Sequence, residues 1–160
     1  MENYKHLLEL MRSFNTAMLI SRSETDLLRA RPMAIAELVD NGEIWFLSDK
    51  DSGKIDEIQR DPRTAVTLQN SSQFVSLSGR SRAVDDRAKV HELWTEAWKV
   101  WFPGGKDDPE ITLVHFIPDE AEYWDNAGVN GLRYLFKAGV AYLQGHTPDV
   151  GEANHAKLKV

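Results

Sequence analysis

Cysteine is absent from the 160 residues of this chain, which excludes disulfide bonds and thiolate-bound metals. No run of about 18 apolar residues occurs, so we expect no membrane-spanning helix and no membrane partner. The first residues mix acidic and apolar side chains, which argues against a signal peptide. Together these absences lead us to expect a cytoplasmic protein.

Positive charge is also scarce, with 19 lysines and arginines against 25 aspartates and glutamates, a formal net charge of -6. Non-specific nucleic-acid binding depends on neutralising phosphates, so we expect no nucleic-acid partner. Apolar residues make up 42% of the chain and charged residues 28%, as in ordinary soluble globular proteins. The length predicts one domain over residues 1–160, with a polar tail from about residue 145.

One stretch carries the clearest functional signal. It predicts a strand over 44–47 that runs through a polar Ser/Gly/Lys corner into a short helix over 54–60, capped by Asp51 or Ser52. Backbone N–H groups at a helix start are unpaired and partly positive, and Lys54 adds a full charge. The corner therefore suits an anion, although an ordinary capped helix with a solvated lysine would have the same residues.

Two familiar ligand-binding loops do not fit this corner. A P-loop requires a magnesium-binding Ser or Thr where this chain has Ile55, and a first glycine where it has Ser48. In a calcium-binding EF-hand that starts at Asp49, the glycine comes one position early and Arg60 stands where glutamate is required. What remains is a helix start with room for an anion.

A predicted hairpin brings Arg31 to the same end of the sheet as this corner. Residues 31–39 and 44–48 have the composition of strands, and Asn41-Gly42 between them accepts positive φ at both central positions of a tight turn. Arginine suits phosphate because its planar fork donates two parallel hydrogen bonds. Arg31 on a strand rim is common by itself, but beside the corner it strengthens the anion-site hypothesis.

The remaining periodicities predict an antiparallel, six-stranded β-barrel with peripheral helices, because hairpins rather than βαβ crossovers join most strands. Gly79 interrupts one strand and indicates a bulge or a close backbone approach. Residues 22–30 are polar and predict a loop or sheet edge. The other predicted elements are helices at 2–12, 85–101 and 131–143 and strands at 16–21, 64–69, 74–84, 111–117, 121–125 and 157–160.

Aromatic and histidine residues receive different interpretations. Trp94, Trp98 and Trp101 follow helical spacing, and we expect them to pack in the core. Trp124 is equally compatible with packing and with closing over a planar ligand.

The histidines lack metal-ligand spacing, and His115 has the pattern of a satisfied or surface strand residue. No serine has a nucleophile elbow around it, so neither covalent nor metal catalysis is predicted.

The order of several short motifs resembles the pyridoxamine 5'-phosphate oxidase-like, FMN-binding split-barrel superfamily. These motifs are Arg31-Pro32-Met33, Trp45-Phe46-Leu47-Ser48, Ser52-Gly53-Lys54, Asp61-Pro62-Arg63, Gly79 and Glu122-Tyr123-Trp124. Within that superfamily, residues 101–109 and 121–125 resemble the general stress protein 26 branch. The resemblance extends from about Leu7 to Gly145.

The resemblance implies a split barrel that forms a homodimer with a flavin in each interface cleft, FMN first and FAD as a further candidate. By position, the phosphate would face Arg31, Ser52 and Lys54 in the corner that contains Gly53. The isoalloxazine ring would meet the backbones of Arg31, Pro32, Met33, Ala34, Phe46, Leu47 and Ser48. Trp124 would reach the flavin from the other subunit.

The chain departs from the oxidase pattern at three positions. Gly53 stands where the oxidases have a second basic residue, and the strand after Arg31 has Ala36 and Glu37 in place of their lysine. After Trp124 the substrate-gripping Arg-x-His segment is missing, with residues 131–134 in its place. We therefore expect a lighter grip on the phosphate and no true pyridoxamine phosphate oxidation.

If the chain is an enzyme, the resemblance implies a flavin-dependent oxidoreductase in which the cofactor supplies the redox chemistry. Two alternatives stay open. The chain can be a non-catalytic flavin carrier or stress-response binding protein with the same site. It can also hold haem or a deazaflavin in the same fold.

Overall fold

The computed structural model describes residues 1–127 and 155–160, so the helix predicted at 131–143 lies outside the described residues. Within these ranges no helix has the length and apolar content needed to cross a bilayer. The elements are α1 Glu2–Met11, β1 Thr16–Arg22, β2 Leu28–Leu38, β3 Ile44–Asp49, α2 Gly53–Arg60, β4 Arg63–Gln69, β5 Gln73–Val84, α3 Arg87–Leu93, a 3₁₀ helix Glu96–Val100, β6 Ile111–Asp125 and β7 His155–Lys159.

The strands form one antiparallel sheet in the order β3-β2-β1-β4-β5-β6-β7. The sheet closes on itself because β3 also pairs with the first part of β6, from Asp49 opposite Ile111 to Ile44 opposite Phe116. Six strands therefore form a barrel without open edges. The later part of β6 leaves β3 and pairs with β7 instead. The predicted six-stranded antiparallel barrel is confirmed, and the predicted terminal strand is β7.

The barrel interior is apolar because β1 and β4 point alternate side chains inward. α1 covers the same core with its buried leucines and Met11. Each large side chain that leaves water contributes about 1.5–3 kcal/mol to folding. A second apolar cluster joins α3 to β3 and β6 through Leu47, Val90, Leu93, Phe102, Ile111 and Leu113.

The predicted hairpin at residues 40–43 is confirmed, but its turn differs from the predicted one. The Gly42 N–H donates to the carbonyl of Val39 at 2.9 Å, and only Gly42 adopts positive φ, at +82°, whereas Asn41 does not. This is the pattern of a three-residue loop, in which a regular turn is followed by a left-handed glycine. β2 also begins at Leu28, inside the predicted loop, because its pairing with β1 continues to Arg22.

β6 corrects the prediction of two separate strands around Pro118. It is continuous over 15 residues, and a register shift between Ser78 and Gly79 of β5 absorbs the extra residue. Pro118 lies between the stretch that pairs with β3 and the stretch that pairs with β7, so its missing N–H disturbs neither ladder. The bulge and the close approach predicted at Gly79 are both confirmed, since a Cβ there would lie 2.1 Å from the Ile117 carbonyl oxygen.

The single helix predicted over 85–101 is wrong, because the chain breaks at Trp94. α3 starts as predicted at Asp86, whose side chain accepts a hydrogen bond from the Lys89 N–H at 3.0 Å. Trp94 and Thr95 are then extended, and Thr95 occupies the start of the 3₁₀ helix. Thr95 makes no side-chain capping hydrogen bond there. Helical spacing of the apolar residues persists across the two short helices, so periodicity did not reveal the break.

We predict that Gly79→Ala destabilises the protein by about 3 kcal/mol, because the new methyl group would collide with backbone rather than with a flexible side chain. Urea unfolding measures the change. Gly53→Ala is the matched control, since a Cβ there meets nothing within 4 Å. We expect it to leave stability unchanged or to raise it by about 0.5 kcal/mol. Equal losses in both variants would contradict this account of the bulge.

Candidate functional site

The corner between β3 and α2 leaves backbone donors available to an anion. Ser52 occupies the predicted cap position, but its side chain makes no capping hydrogen bond, which corrects the prediction of a capped helix. Instead its Oγ donates to the Asp49 carbonyl and accepts from Lys54 Nζ, each at 2.9 Å. Among the described residues, the N–H groups of Gly53 and Lys54 have no hydrogen-bond acceptor.

Arg31 lies beside this corner but is paired with a buried carboxylate. Its guanidinium donates to Glu57 Oε2 at 2.7 Å and also to the Ser21 hydroxyl. Ser21 in turn donates to Glu57, and Arg29 binds the other carboxylate oxygen at 3.0 Å. Glu57 is only 6% exposed. Sequence reasoning missed this residue, whose only signal was its position next to Ile58 on the apolar face of α2.

The pKa of Lys54 reflects both its burial and the charges around it. Burial lowers the pKa of Lys54, the nearby Arg31 charge lowers it further, and Asp49 and Glu57 partly offset both effects. Burial by itself would raise the pKa of Glu57, but hydrogen bonds from Ser21 and Arg31, with the charges of Arg31 and Arg29, hold it below its usual value. Two cations and an ionised carboxylate therefore share one small region.

A cleft of about 290 Å³ opens next to the corner. Lys54 and Ser48 form its polar end, and an apolar floor and an aromatic wall form the rest. Six predicted site residues line it: Pro32, Met33, Ala34, Leu47, Ser48 and Lys54. Sequence reasoning missed its other lining residues, Asp49, Trp98, Trp101 and Phe102. The cleft therefore combines cationic and aromatic surfaces.

The aromatic wall corrects the expectation that all three helix-spaced tryptophans pack in the core. Trp94 and Trp98 are partly buried against the second apolar cluster. Trp101 is 73% exposed and lines the cleft instead. The break at Thr95 changes the direction of the chain, so Trp101 no longer continues the buried stripe of α3.

Two predicted site residues contribute no side chain to the cleft. The side chain of Phe46 is fully buried in the barrel core, so only its backbone is available to a ligand. Gly53 lines a second cavity of about 470 Å³ between the β1–β2 hairpin and α2, together with Arg29, Glu57 and Arg60. No aromatic side chain lines this larger cavity within the described part of the chain, so the smaller cleft is the better site for a planar ligand.

Trp124 is remote from the cleft of its own chain. It pairs with Phe74 on β5 and stacks on His155 with ring centroids 5.2 Å apart. On β6 it lies twelve positions after Thr112, the residue opposite Ser48. That spacing is roughly 38–41 Å along a strand. A role for Trp124 in the cleft therefore requires a second copy of the chain.

His115 is a satisfied strand residue, as predicted. It is 4% exposed, and its Nε2 lies 2.8 Å from a Glu43 carboxylate oxygen. The Arg82 guanidinium lies 3.2 Å from Nδ1, and the ring stacks on Trp45 with centroids 3.9 Å apart. These contacts account for both ring nitrogens.

We predict that Glu57→Ala costs about 3 kcal/mol of stability at pH 7, because two arginines lose a buried partner. The folded-state pKa of Glu57 lies below the ordinary value of 4.5, so the contribution is present above that pH. It is lost as the pH falls through the lower folded-state value. Urea unfolding at pH 7 and pH 3.5 should show the difference between variant and wild type shrinking at the lower pH.

The control for this prediction is Asp56→Ala, which removes an exposed carboxylate one residue away on the same helix. We expect a cost below about 1 kcal/mol. A pH-independent cost of Glu57→Ala would show that the residue contributes only by packing.

Comparison with protein families gives one match over most of the chain. A family model described as pyridoxamine 5'-phosphate oxidase like matches residues 2–149. Among curated proteins, no match was found.

Solved structures with the same fold include several stress proteins. A general stress family protein from Xanthomonas campestris pv. campestris is 31% identical, with 79% of this chain and 89% of that chain covered and a TM-score of 0.68. The general stress FMN/FAD binding protein from Xanthomonas citri is 30% identical, with 79% and 91% covered and a TM-score of 0.69. A structure described as general stress protein 26 from Jannaschia sp. CCS1 is 25% identical over both full chains, with a TM-score of 0.75.

Proposed function

The chain belongs to the pyridoxamine 5'-phosphate oxidase-like family, and from this premise we propose that it binds a flavin, FMN first and FAD as a further candidate. One observation carries the proposal: a single cleft joins a cationic corner at Lys54 to an aromatic wall at Trp98 and Trp101. A flavin has the matching chemistry, with a flat ring system at one end and a phosphate at the other. The similarity to an FMN/FAD binding protein supports the same choice.

The donors at the corner fit a phosphate group. Lys54 supplies an ammonium group, and the N–H groups of Gly53 and Lys54 point from the start of α2 without acceptors among the described residues. The Ser52 hydroxyl lies 2.9 Å from Lys54 Nζ, within reach of the same anion. Arg31 adds a second cation on the neighbouring strand. Charge-assisted hydrogen bonds of this kind are the strong ones.

The cleft next to the corner fits the ring system. Pro32, Met33 and Ala34 of β2 form one side, and Leu47 and Ser48 of the neighbouring strand β3 line the next part, where Ser48 adds a hydroxyl group. Bound flavin would supply one- and two-electron redox chemistry. The chain would bind the phosphate, orient the ring and exclude water from its aromatic side.

A homodimer is the second part of the proposal. The cleft volume of about 290 Å³ lies just below the range of about 300–1,000 Å³ for small-molecule sites. A wall from another copy would enlarge and close it. The exposed Trp101 and the remote Trp124 support this arrangement, with the partner's Trp124 facing the ring.

We predict that Lys54→Ala weakens FMN binding by about 1.5–3 kcal/mol, roughly 10- to 150-fold, because a charge-assisted contact is lost. Riboflavin has no phosphate, so its affinity should change little. Flavin fluorescence quenching measures both. Lys50→Ala is the matched control, since this nearby lysine pairs with Asp85 at 3.1 Å and does not line the cleft. Equal losses for both flavins would refute the phosphate role.

Oxidoreductase activity is the finer part of the proposal, and a steady-state assay tests it. With FMN bound, the protein should oxidise NADH or NADPH faster than the same amount of free flavin. Turnover no faster than free flavin would instead indicate a flavin carrier with the same site. The absorption spectrum of the purified protein separates flavin from haem and deazaflavin, since the three absorb at different wavelengths.

A further inference from the structure

Glu57 faces the cationic corner from the buried side of α2. It is 6% exposed and hydrogen-bonds Ser21 from β1 and Arg31 from β2. Arg29, also from β2, pairs with its second oxygen at 3.0 Å. On its own helix, Lys54 lies close enough for the two charges to affect each other. An ionised Glu57 has no hydrogen-bond donor to offer a phosphate. It can therefore affect a bound phosphate only through the cations beside it.

The charges at the corner partly offset one another. Arg29, Arg31 and Lys54 are positive, and Glu57 and Asp49 are negative. Arg29 is 62% exposed, so water screens much of its charge. Arg31 is only 21% exposed, and its partner Glu57 is a carboxylate whose pKa is held below its usual value by the hydrogen bonds and charges around it. The corner therefore offers an anion much less positive charge than two free cations would.

We propose that Glu57 is a positioning residue that sets the charge selectivity of the phosphate corner, so that a singly charged phosphate group binds about as well as a doubly charged one. By holding Arg31 in an ion pair, Glu57 fixes the guanidinium near Lys54 and cancels much of its charge. The proposal rests on the proposed function, since it concerns the phosphate of a flavin bound in the same cleft.

The ionisation of the ligand makes the proposal testable. The phosphate monoester of FMN loses its second proton near pH 6, so it carries one charge below that pH and nearly two above it. The pyrophosphate of FAD carries one charge on each phosphate throughout this range. Riboflavin carries none. These three ligands therefore probe the corner with different charges and the same ring.

The experiment measures the dissociation constants of riboflavin, FMN and FAD at pH 5.5 and pH 7.5, for the wild type and for Glu57→Gln. For the wild type, we expect the affinity for FMN to change by less than about threefold between the two pH values. Glu57→Gln keeps a carbonyl oxygen that can accept a hydrogen bond from Arg31, so it removes the charge and retains the contact that positions the guanidinium. FMN should then bind about tenfold more tightly at pH 7.5 and about threefold more tightly at pH 5.5, because the repulsion removed scales with ligand charge. FAD should gain equally at both pH values, and riboflavin should not change.

The control is Asp56→Asn, which removes one charge from an exposed side chain of the same helix, where screening is strong. It should leave all three affinities within about twofold of the wild type. Equal changes for FMN and riboflavin in Glu57→Gln, or weaker FMN binding, would overturn the proposal and leave only a structural role.

If Glu57→Gln does not fold, the pH dependence of FMN affinity in the wild-type protein still tests the proposal. An affinity for FMN that rises tenfold or more from pH 5.5 to pH 7.5 would overturn the proposal, because the corner would then prefer the doubly charged phosphate. Absence of binding for all three flavins would refute the proposed function itself. Binding with unaltered selectivity in Glu57→Gln would refute only the role of Glu57.

Discussion

Pairing between β3 and β6 is the constraint on which the rest of the molecule depends. It closes the barrel, and its register places Asp49 opposite Ile111. Because the 3₁₀ helix and Phe102 come just before Ile111 in the chain, this register brings the aromatic wall next to the corner that follows Asp49. The cleft lies where the end of β3 is paired with the start of β6. The same strand pairing therefore closes the sheet and positions the two sides of the cleft.

Charge balance is the second organising feature, and it comes from the short helix α2. The first turn of this helix carries Lys54, which lines the cleft, and two N–H groups without acceptors among the described residues, and the next turn buries Glu57 against Arg31. The same eight-residue helix therefore both attracts an anion and limits the attraction. A buried carboxylate that pairs with an arginine is stabilising only because the arginine and Ser21 satisfy it.

Much of the fold and half of the cleft could be predicted from the sequence, because these depend on local patterns. The hairpin that carries Arg31 follows from Asn41-Gly42, and the anion corner follows from its serine, glycine and lysine. Features set by tertiary contacts could not be predicted. The burial of Glu57 depends on two arginines of another strand, and the exposure of Trp101 depends on a helix break that preserves helical spacing. The role of Trp124 at the flavin stays a prediction, because testing it requires a structure with a second copy of the chain.

The most direct test of this account is a crystal structure of the protein soaked with FMN. We expect the phosphate within hydrogen-bonding distance of Lys54 Nζ and the N–H groups at the start of α2. The ring should lie along Pro32–Ala34 beside Trp101. A flavin bound in the larger cavity, or one with its phosphate directed away from Lys54, would contradict the assignment of the corner as a phosphate site.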